Sequence, residues 1–255
     1  MSAGASASGE MLEDSSWFEP DWDRPPGVRA LLTTRLGGVS AAPFHSFNLG
    51  ASCGDDENAV QRNRARLKRV LPAAPRWLKQ VHGTHVVAAD QIGTPVKADA
   101  SYTAVAGTVC VVLTADCLPV LLCDSRGTTV AAAHAGWRGL CQGVIESTVA
   151  RFATPRSELR AYLGPAISAR AYEVGQDVYD AFVARAPDDA PAFRPLSPGK
   201  YACDLCQLAR FRLARAGVSR IEGGNFCTYS DPARFYSYRR DGRTGRSASL
   251  IWRTG

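Results

Sequence analysis

The pattern of hydrophobic and polar positions along the chain predicts alternating strands and helices. Some stretches are almost wholly apolar and rich in β-branched residues, whereas others place apolar residues three or four positions apart. The first pattern indicates a strand buried on both faces, and the second indicates a helix with one buried face. We therefore expect an α+β fold, a single domain of mixed β-sheets with helices packed on the outside.

Nine segments have the apolar pattern of strands. They are residues 28–34, 77–89, 109–115, 120–123, 128–133, 159–163, 218–222, 235–240 and 247–252. In segment 77–89, strict alternation would place Gln80 and His82 on the same face. The last two segments are joined across residues 241–245, whose glycines predict a hairpin. Because Pro119 cannot donate to a β-ladder, regular pairing is expected to break or reach an edge there.

Four segments have the periodicity of helices, and they span about 55–71, 140–152, 176–186 and 204–216. Asp55 and Asp56 can cap the first helix, and Gly217 ends the last one. The first helix carries a basic run that we interpret as its solvated face: Arg62, Arg64, Arg66, Lys68 and Arg69. Residues 1–16 are expected to be a disordered tail, and residues 17–255 are expected to form the single domain.

Composition and charge narrow the class of protein. A hydrophobic content of 45% and a charged content of 21% are typical of a globular domain, and no apolar run is long enough to cross a bilayer. The net charge is +6, but the basic residues are spread along the chain without a nucleic-acid-binding motif. We expect a small-molecule substrate, no nucleic-acid or membrane partner, and a monomer or weak homodimer.

The eight cysteines are interpreted as reduced thiols. They are scattered through apolar runs, and the first residues of the chain lack the basic and apolar segments of an export signal. Cys203 and Cys206 form one Cys-x-x-Cys pair without a second pair, so we interpret them as core thiols. A cytoplasmic location is the expectation that follows.

The residues that carry recognisable chemistry concentrate between positions 78 and 140. Three of the four histidines lie in this region, and each lies in a segment where an apolar run meets a turn. The segments are Gln80-Val81-His82-Gly83-Thr84-His85-Val86, Ala115-Asp116-Cys117-Leu118-Pro119-Val120 and Ala133-His134-Ala135-Gly136-Trp137-Arg138-Gly139. Strand ends that meet at one rim of a sheet are a frequent place for reactive groups.

His82, Cys117 and His134 are the candidate metal ligands. One thiolate and two imidazoles suit Zn²⁺, and three protein ligands leave a fourth position open, as in catalytic zinc sites. His85 has the opposite strand parity to His82 and is not expected to be a ligand. The alternative interpretation is structural: Cys117 packs as a small hydrophobic residue and Asp116 caps a turn.

Other polar residues near these segments are candidates for catalysis and substrate binding. Asp116 is the candidate acid/base or the group that orients a histidine. Arg138 follows a glycine-rich turn and could grip phosphate or carboxylate. Arg35, which lies beside paired glycines, together with Asn48 and Gln80, is a candidate for holding the substrate.

The three segments resemble those of the YfiH-like family, also called the polyphenol oxidase or laccase-domain family. The resemblance covers nearly the whole chain, because further motifs follow in the family's order. They are Thr33-Thr34-Arg35-Leu36-Gly37-Gly38-Val39-Ser40, Phe47-Asn48-Leu49-Gly50, Leu163-Gly164-Pro165-Ala166-Ile167, Tyr172-Glu173-Val174-Gly175 and Tyr236-Ser237-Tyr238-Arg239-Arg240. The family's histidine–cysteine–histidine ligands fall on His82, Cys117 and His134.

The resemblance implies a zinc-dependent purine nucleoside phosphorylase acting on adenosine, inosine and guanosine. Adenosine deaminase and methylthioadenosine phosphorylase activities are the related reactions that it implies. A second implied activity is that of a peptidoglycan editing factor, an amidase that removes a wrong amino acid from a UDP-MurNAc-linked precursor. In that case Cys117 could also act as the nucleophile, with His134 as its base. The older family label is copper polyphenol oxidase, but the chain has only four histidines to hold copper.

Overall fold

The computed structural model describes residues 15–255. Residues 1–14 of the expected disordered tail lie outside the described residues. The tail prediction also included Ser15 and Ser16, but Ser16 is buried, and its carbonyl accepts the Thr34 N–H at 2.8 Å. Regular structure begins at the next residue, Trp17.

The backbone of the described residues forms thirteen strands and six α-helices. The strands are β1 (Trp17–Phe18), β2 (Val28–Thr33), β3 (Val86–Ala88), β4 (Ala100–Thr103), β5 (Cys110–Thr114), β6 (Leu118–Asp124), β7 (Val130–Ala135), β8 (Leu159–Leu163), β9 (Glu173–Gly175), β10 (Phe193–Ser197), β11 (Lys200–Cys203), β12 (Arg220–Gly223) and β13 (Ser247–Arg253). The helices are α1 (Glu57–Lys68), α2 (Trp137–Gln142), α3 (Val144–Val149), α4 (Gln176–Val183), α5 (Leu205–Arg215) and α6 (Tyr238–Asp241). No helix of the described residues is long and apolar enough to cross a membrane.

The strands form three sheets, of which the six-stranded one mixes parallel and antiparallel pairs. A six-stranded sheet has the order β12-β8-β6-β7-β4-β3, a four-stranded sheet the order β1-β2-β13-β5, and a three-stranded sheet the order β10-β11-β9. The pairs β12–β8 and β3–β4 are parallel, and the other pairs are antiparallel. The two larger sheets carry the candidate site between them.

One hydrophobic cluster joins the two larger sheets. Leu32 and Val112 of the four-stranded sheet pack with Leu121 and Ala132 of the six-stranded sheet, and all four are at most 1% exposed. Burying a leucine of this kind stabilises the fold by about 1.5–3 kcal/mol relative to leaving it exposed. This shared core supports the single-domain expectation, which remains a prediction.

The helices cover the outer faces of the sheets. Helices α2, α3, α4 and α5 contribute to a cluster with the strands of the six-stranded sheet. Leu67 of α1, with Leu71 just beyond it, packs against the four-stranded sheet. The expectation of an α+β fold with mixed sheets and outer helices is therefore confirmed.

The predicted strand over residues 77–89 is wrong over most of its length. Only Val86–Ala88 is a strand, and Arg76 and Lys79 make isolated bridges. His82 has a φ of 60°, a left-handed conformation that interrupts alternation. The reason lies far away in the sequence, because a buried carboxylate, described below, draws in the N–H groups of this loop.

The predicted hairpin between residues 235 and 252 is also wrong. Ser237 caps α6 by accepting the Arg240 N–H, and Asp116 accepts the Arg239 N–H at 2.7 Å. These local and distant acceptors favour a helical turn over a strand. The predicted helix over 140–152 is likewise divided, because Gly143 has a φ of 105° between α2 and α3.

Pro119 lies inside the six-stranded sheet, so the predicted break in pairing is absent on the side of β7 and is seen only on the side of β8. It pairs with His134 of the neighbouring strand β7. His134 donates its backbone N–H away from β6, to the Asp99 carbonyl at 2.7 Å. On the β8 side, the Pro119 carbonyl accepts the Gly164 N–H at 2.9 Å, and the register pairs begin at Val120. Neither neighbouring strand therefore needs a backbone N–H from Pro119 as a hydrogen-bond donor.

Candidate metal site and its cavity

His82, Cys117 and His134 meet at the rim between the two larger sheets. Cys117 lies in the turn from β5 to β6, His134 lies near the end of β7, and His82 lies in the loop before β3. The Cys117 Sγ lies 3.8 Å from the His82 Nε2, and one ligand atom from each residue lies within 4.8 Å of the others. The two imidazole rings meet edge to face, with centroids 4.7 Å apart.

Gly136 leaves the space that this cluster occupies. A Cβ at this position would lie 2.8 Å from the His82 Cδ2 and 3.0 Å from the Cys117 Sγ. A Cβ at Gly139 would lie 2.8 Å from the Gly83 carbonyl oxygen. The glycines around Trp137 and Arg138 therefore let the His82 loop pack against the start of α2.

Asp99 is the residue that braces the site, and the sequence analysis missed it. Its side chain is fully buried and accepts the His134 Nδ1–H at 2.9 Å. The same carboxylate accepts the N–H of His82 at 2.8 Å and the N–H of Gly83 at 2.7 Å. These bonds lower the pKa of Asp99 although burial alone would raise it. Asp99 thereby positions two of the three candidate ligands at once.

A signal for Asp99 exists in the sequence, but it is weak. Asp99 is a lone carboxylate immediately before the largely buried strand Ala100–Thr103, where a charge needs a partner. The pattern does not name that partner, because His134 lies 35 positions further along the chain.

The electrostatics of the cluster favour a thiolate at Cys117. Burial alone would raise the pKa of Cys117, but the neighbouring His134 and His82 imidazoles outweigh it and bring the pKa to about 6. Burial likewise opposes a charged His134, but the Cys117 thiolate and the Asp99 carboxylate raise its pKa to about 9. A thiolate is the form that binds metal or acts as a nucleophile.

A cavity of about 600 Å³ opens onto the three candidate ligands. This volume lies within the range of small-molecule sites. Its wall is built from three parts of the chain besides the ligands: residues 50–53, residues 77–80 and residues 113–115. Arg64, Pro95, Tyr238 and Arg246 complete it. The cavity makes the metal cluster accessible to a substrate of nucleoside size.

Of the residues predicted to bind substrate, Gln80 lines this cavity. Its side-chain amide donates to the Leu113 carbonyl and accepts the Leu113 N–H, each at 2.8 Å. This pair of bonds replaces a β-ladder rung between the loop and β5. Gln80 therefore shapes the cavity wall, and a direct contact with substrate remains a prediction.

Arg35 and Asn48 lie outside the cavity wall and use their side chains internally. Arg35 donates to the carbonyls of His45 and Pro232, each at 3.1 Å, and its guanidinium lies over the Tyr236 ring. Asn48 is fully buried, and its Oδ1 accepts the N–H of Gly50 and of Arg246. These contacts hold neighbouring backbone segments in place, and a contact of either residue with substrate remains a prediction.

Asp116 and Arg138, the predicted catalytic residues, also face away from the cavity lining. Asp116 accepts from the Thr228 hydroxyl at 2.6 Å and from the Arg239 N–H, and its φ of 90° turns Cys117 toward the histidines. Such a left-handed conformation costs about 1–3 kcal/mol outside glycine, so the surrounding bonds must hold it. The Arg138 guanidinium lies over the Trp137 ring, 4.4 Å from its centroid. A catalytic role for either residue remains a prediction.

The three candidate ligands fit a metal ion. The His134 Nδ1 is engaged by Asp99, which leaves its Nε2 for coordination, and carboxylate-held histidines are usual at such sites. His85 stays outside the cluster, as expected, with its Nδ1 bonded to the Lys97 carbonyl. In the described part of the chain this is the one group of three potential ligands close enough to hold an ion.

The chain matches a protein family described as multi-copper polyphenol oxidoreductase laccase, over residues 29–254. The chain belongs to this family. It is 55% identical to a purine nucleoside phosphorylase of Pseudomonas aeruginosa, over 93% of this chain and 98% of the relative. It is 53% identical to the purine nucleoside phosphorylase YfiH of Escherichia coli, over 93% and 99% of the two chains.

Solved structures share the fold. The crystal structure of a Neisseria meningitidis protein of the DUF152 family has a TM-score of 0.92 and 50% identity, over 94% of this chain and all of that one. The crystal structure of YlmD from Geobacillus stearothermophilus has a TM-score of 0.85 and 35% identity, over 92% and 96% of the chains. These matches confirm the resemblance to YfiH-like proteins.

Proposed function

We propose that this chain is a zinc-dependent purine nucleoside phosphorylase acting on adenosine, inosine and guanosine. The names of relatives that are 48–55% identical support the reaction. The single observation that carries the proposal is the His82–Cys117–His134 cluster in the wall of a cavity of about 600 Å³. The laccase label of the family is less supported, because the described residues hold one cluster with two histidines rather than a set of copper centres.

The proposed reaction exchanges a glycosidic bond for a phosphate ester. An oxygen of phosphate forms a bond to C1′ of the ribose while the bond from C1′ to the purine nitrogen breaks. The purine leaves with the bonding electrons and takes up a proton. Zinc bound by the three ligands would supply a Lewis acid that polarises oxygen atoms.

The chain itself contributes position and orientation. Asp99 holds His134 in the tautomer that presents its Nε2, and it holds the His82 loop through three backbone N–H groups, those of residues 81–83. Gln80 ties the loop to β5 and thereby keeps the cavity open beside the ligands. A rigid wall of this kind lowers the entropic cost of aligning two substrates.

A second candidate function is supported by the order Cys117–His134–Asp99. A thiolate, an imidazole and an orienting carboxylate are the parts of a nucleophilic hydrolase. They suit the amidase of the peptidoglycan editing reaction. Cys117 would attack the amide carbonyl, His134 would give its proton to the departing amine, and water would then hydrolyse the thioester. A thiolate engaged by zinc is not free for this attack, so the two proposals differ in their response to a chelator.

The experiment that tests the function is product analysis with inosine and adenosine. The pure protein is loaded with zinc or treated with a chelator, and each form is incubated with and without phosphate. Free purine and ribose 1-phosphate, formed only with zinc and phosphate, are expected. Inosine formed from adenosine without phosphate would add deamination, and methylthioadenosine is assayed in the same way. Intact nucleosides with the zinc-loaded protein would contradict the proposal and turn attention to the precursor amide.

A cytoplasmic location is part of the proposal. All eight cysteines are free thiols in the structure. Cys203 and Cys206 do not pair, and burial raises the pKa of Cys206 to about 12. Reduced, structural thiols of this kind are typical of a reducing compartment.

A further inference from the structure

The cavity wall carries three cationic side chains that have no acidic partner among the described residues. Arg64, Lys79 and Arg246 line the cavity, and no aspartate or glutamate lies among its lining residues. Among residues 15–255, none of the three cations forms a salt bridge. A cleft lined by one sign of charge attracts ligands of the opposite sign.

Arg64 is held in the wall by two contacts. Its Nε and Nη2 donate to the same carbonyl, that of Leu49, at 2.9 and 2.8 Å. Its guanidinium lies over the Trp77 ring, 4.0 Å from the centroid. The sequence pattern predicts Arg64 on the solvated face of its helix, but the side chain is half-buried, and its partial desolvation lowers the pKa of Arg64.

The backbone of Arg246 is hydrogen-bonded to Leu49, the residue that also holds Arg64. Its carbonyl accepts the Leu49 N–H at 3.1 Å, and its own N–H donates to the Asn48 Oδ1 at 2.8 Å. The glycine at position 50 makes room for its side chain, because a Cβ there would lie 2.7 Å from the Arg246 Cγ. Leu49 therefore binds both the side chain of Arg64 and the backbone of Arg246, two residues that line the same cavity.

Both arginines keep N–H groups that no acceptor of the described residues uses. Arg64 engages its Nε and Nη2, so its Nη1 is left. Arg246 engages its Nη1 with the carbonyls of Thr244 and Gly245, so its Nε and Nη2 are left. Lys79 is exposed and adds a mobile ammonium. Forked donors with an ammonium beside them match the oxygens of phosphate.

We propose that Arg64, Lys79 and Arg246 form an anion site that binds the phosphate group of a substrate. The assignment rests on the proposed function, because a phosphorylase needs a phosphate seat near its nucleoside. The phosphate is either the inorganic co-substrate or an ester carried by the nucleoside. The site is separate from Arg35 and Arg138, whose side chains make contacts within the protein and whose predicted roles remain predictions.

The test is direct titration of inorganic phosphate into the metal-loaded full-length chain by calorimetry. We compare Arg246→Gln, Arg64→Lys and Lys79→Gln with the control Arg62→Gln. Arg62 lies on the same helix as Arg64 but is exposed, so its variant loses the same charge outside the cavity. Phosphate affinity is expected to fall at least about tenfold in Arg246→Gln, because a charged donor to phosphate is lost. Lys79→Gln is expected to lose about two- to fivefold.

Each outcome decides something definite. Wild-type phosphate and ester affinity in both Arg246→Gln and Lys79→Gln would overturn the site. An equal loss in Arg62→Gln would also overturn it, because the effect would then be one of net charge. Lys79→Gln removes an exposed side chain and is expected to fold, so the test does not depend on the arginine variants alone.

Two further arms identify the source of the phosphate and separate this site from the proposed reaction. A raised KM for phosphate at fixed inosine in Arg246→Gln identifies the co-substrate. Weaker binding of inosine 5′-monophosphate, with inorganic phosphate binding unchanged, identifies an ester. If phosphate binds and Arg246→Gln abolishes binding, but no nucleoside is turned over, the anion site stands and the phosphorylase proposal fails.

Discussion

Two parts of the cavity wall differ in how their charges are compensated. In the metal part, the Cys117 thiolate faces two imidazoles, and the Asp99 carboxylate is satisfied by His134 and by backbone N–H groups. In the cationic part, Arg64 and Arg246 are anchored by carbonyls and form no salt bridge with the described residues. The metal part is thus pre-organised by the protein, whereas the cationic part is completed by a ligand.

Substitutions in the two parts should therefore have different effects. Changes in the metal part disturb groups that depend on one another, so their effects should be large and should include metal loss. Changes in the cationic part remove one interaction with a ligand, so their effects should be confined to affinity.

Cys117→Ala should abolish both metal binding and activity. Its thiolate is the one soft, charged ligand of the cluster, and the loss should exceed the about 10–100-fold effect of removing a group that only supports a ligand. Metal content is measured by mass spectrometry of the purified protein, together with turnover. His85→Ala is the control and should change neither; metal loss in His85→Ala would show that the ligand assignment is wrong.

Gly136→Ala should disrupt the cluster without removing any ligand atom. The added Cβ would lie 2.8 Å from the His82 ring and 3.0 Å from the Cys117 sulfur, so His82 must move. Overpacking of this kind costs about 1–3 kcal/mol, and we expect about tenfold weaker metal binding. Metal titration measures the loss.

Gly93→Ala is the matched control for that substitution. A Cβ at Gly93 meets nothing within 4 Å. This variant should bind metal as the wild type does. Equal metal binding by both variants would mean that the close approach at Gly136 does not shape the site.

Asp99→Asn should weaken metal binding by about 10–100-fold while leaving all three ligands in place. The amide cannot accept from the His134 ring and from the N–H groups of residues 81–83 as the carboxylate does. The expected signature is a lower metal affinity together with a lower Tm of the metal-free protein. Asp90→Asn is the control, because Asp90 accepts one hydrogen bond from the Thr103 hydroxyl, which an amide oxygen can also accept. An Asp99→Asn protein with normal metal affinity would refute the bracing role.

The smallest expected effect is a shift of thiol reactivity with pH in the metal-free protein. With a pKa of about 6, Cys117 should be half ionised near pH 6, and its alkylation rate should only about double above that pH. Cys206, with a pKa of about 12, is the internal control and should not react at neutral pH. Alkylation is mapped residue by residue by mass spectrometry. A Cys117 midpoint near the ordinary value of 9 would contradict the charge pairing.

The charged pair of Cys117 and His134 predicts how the stability of the metal-free protein depends on pH. The lowered pKa of Cys117 stabilises the folded protein fully above the pKa that this thiol has in the unfolded chain. This stabilisation is lost as the pH falls through about 6. The raised pKa of His134 favours folding below its unfolded value and is lost as the pH rises through about 9. Between about 6.5 and 9 the two proton balances cancel, so this pair makes no net slope there. Chemical denaturation of the metal-free protein across pH tests this plateau.

Local patterns in the sequence determined much of the fold and the ligand set. The apolar runs at 109–115 and 247–252 became β5 and β13, and Asp56 caps α1 as its position indicates. His82, Cys117 and His134 were found because each lies at an interruption of an apolar run. Such signals are short-range, since burial of a strand and capping of a helix leave their mark in neighbouring residues.

The residues that surround those ligands became apparent only in the tertiary structure. Asp99 turned the predicted strand at 77–89 into a loop, and Asp116 helped to turn the predicted strand at 235–240 into a helical turn. The Leu49 carbonyl accepts from the Arg64 guanidinium, so Arg64 lies in the cavity wall rather than on the solvated face predicted for its helix. In each case a buried acceptor binds donors that are distant in sequence, and the energy of that contact exceeds local preference. A single sequence shows that a polar group needs a partner, but only the folded chain shows which partner it has.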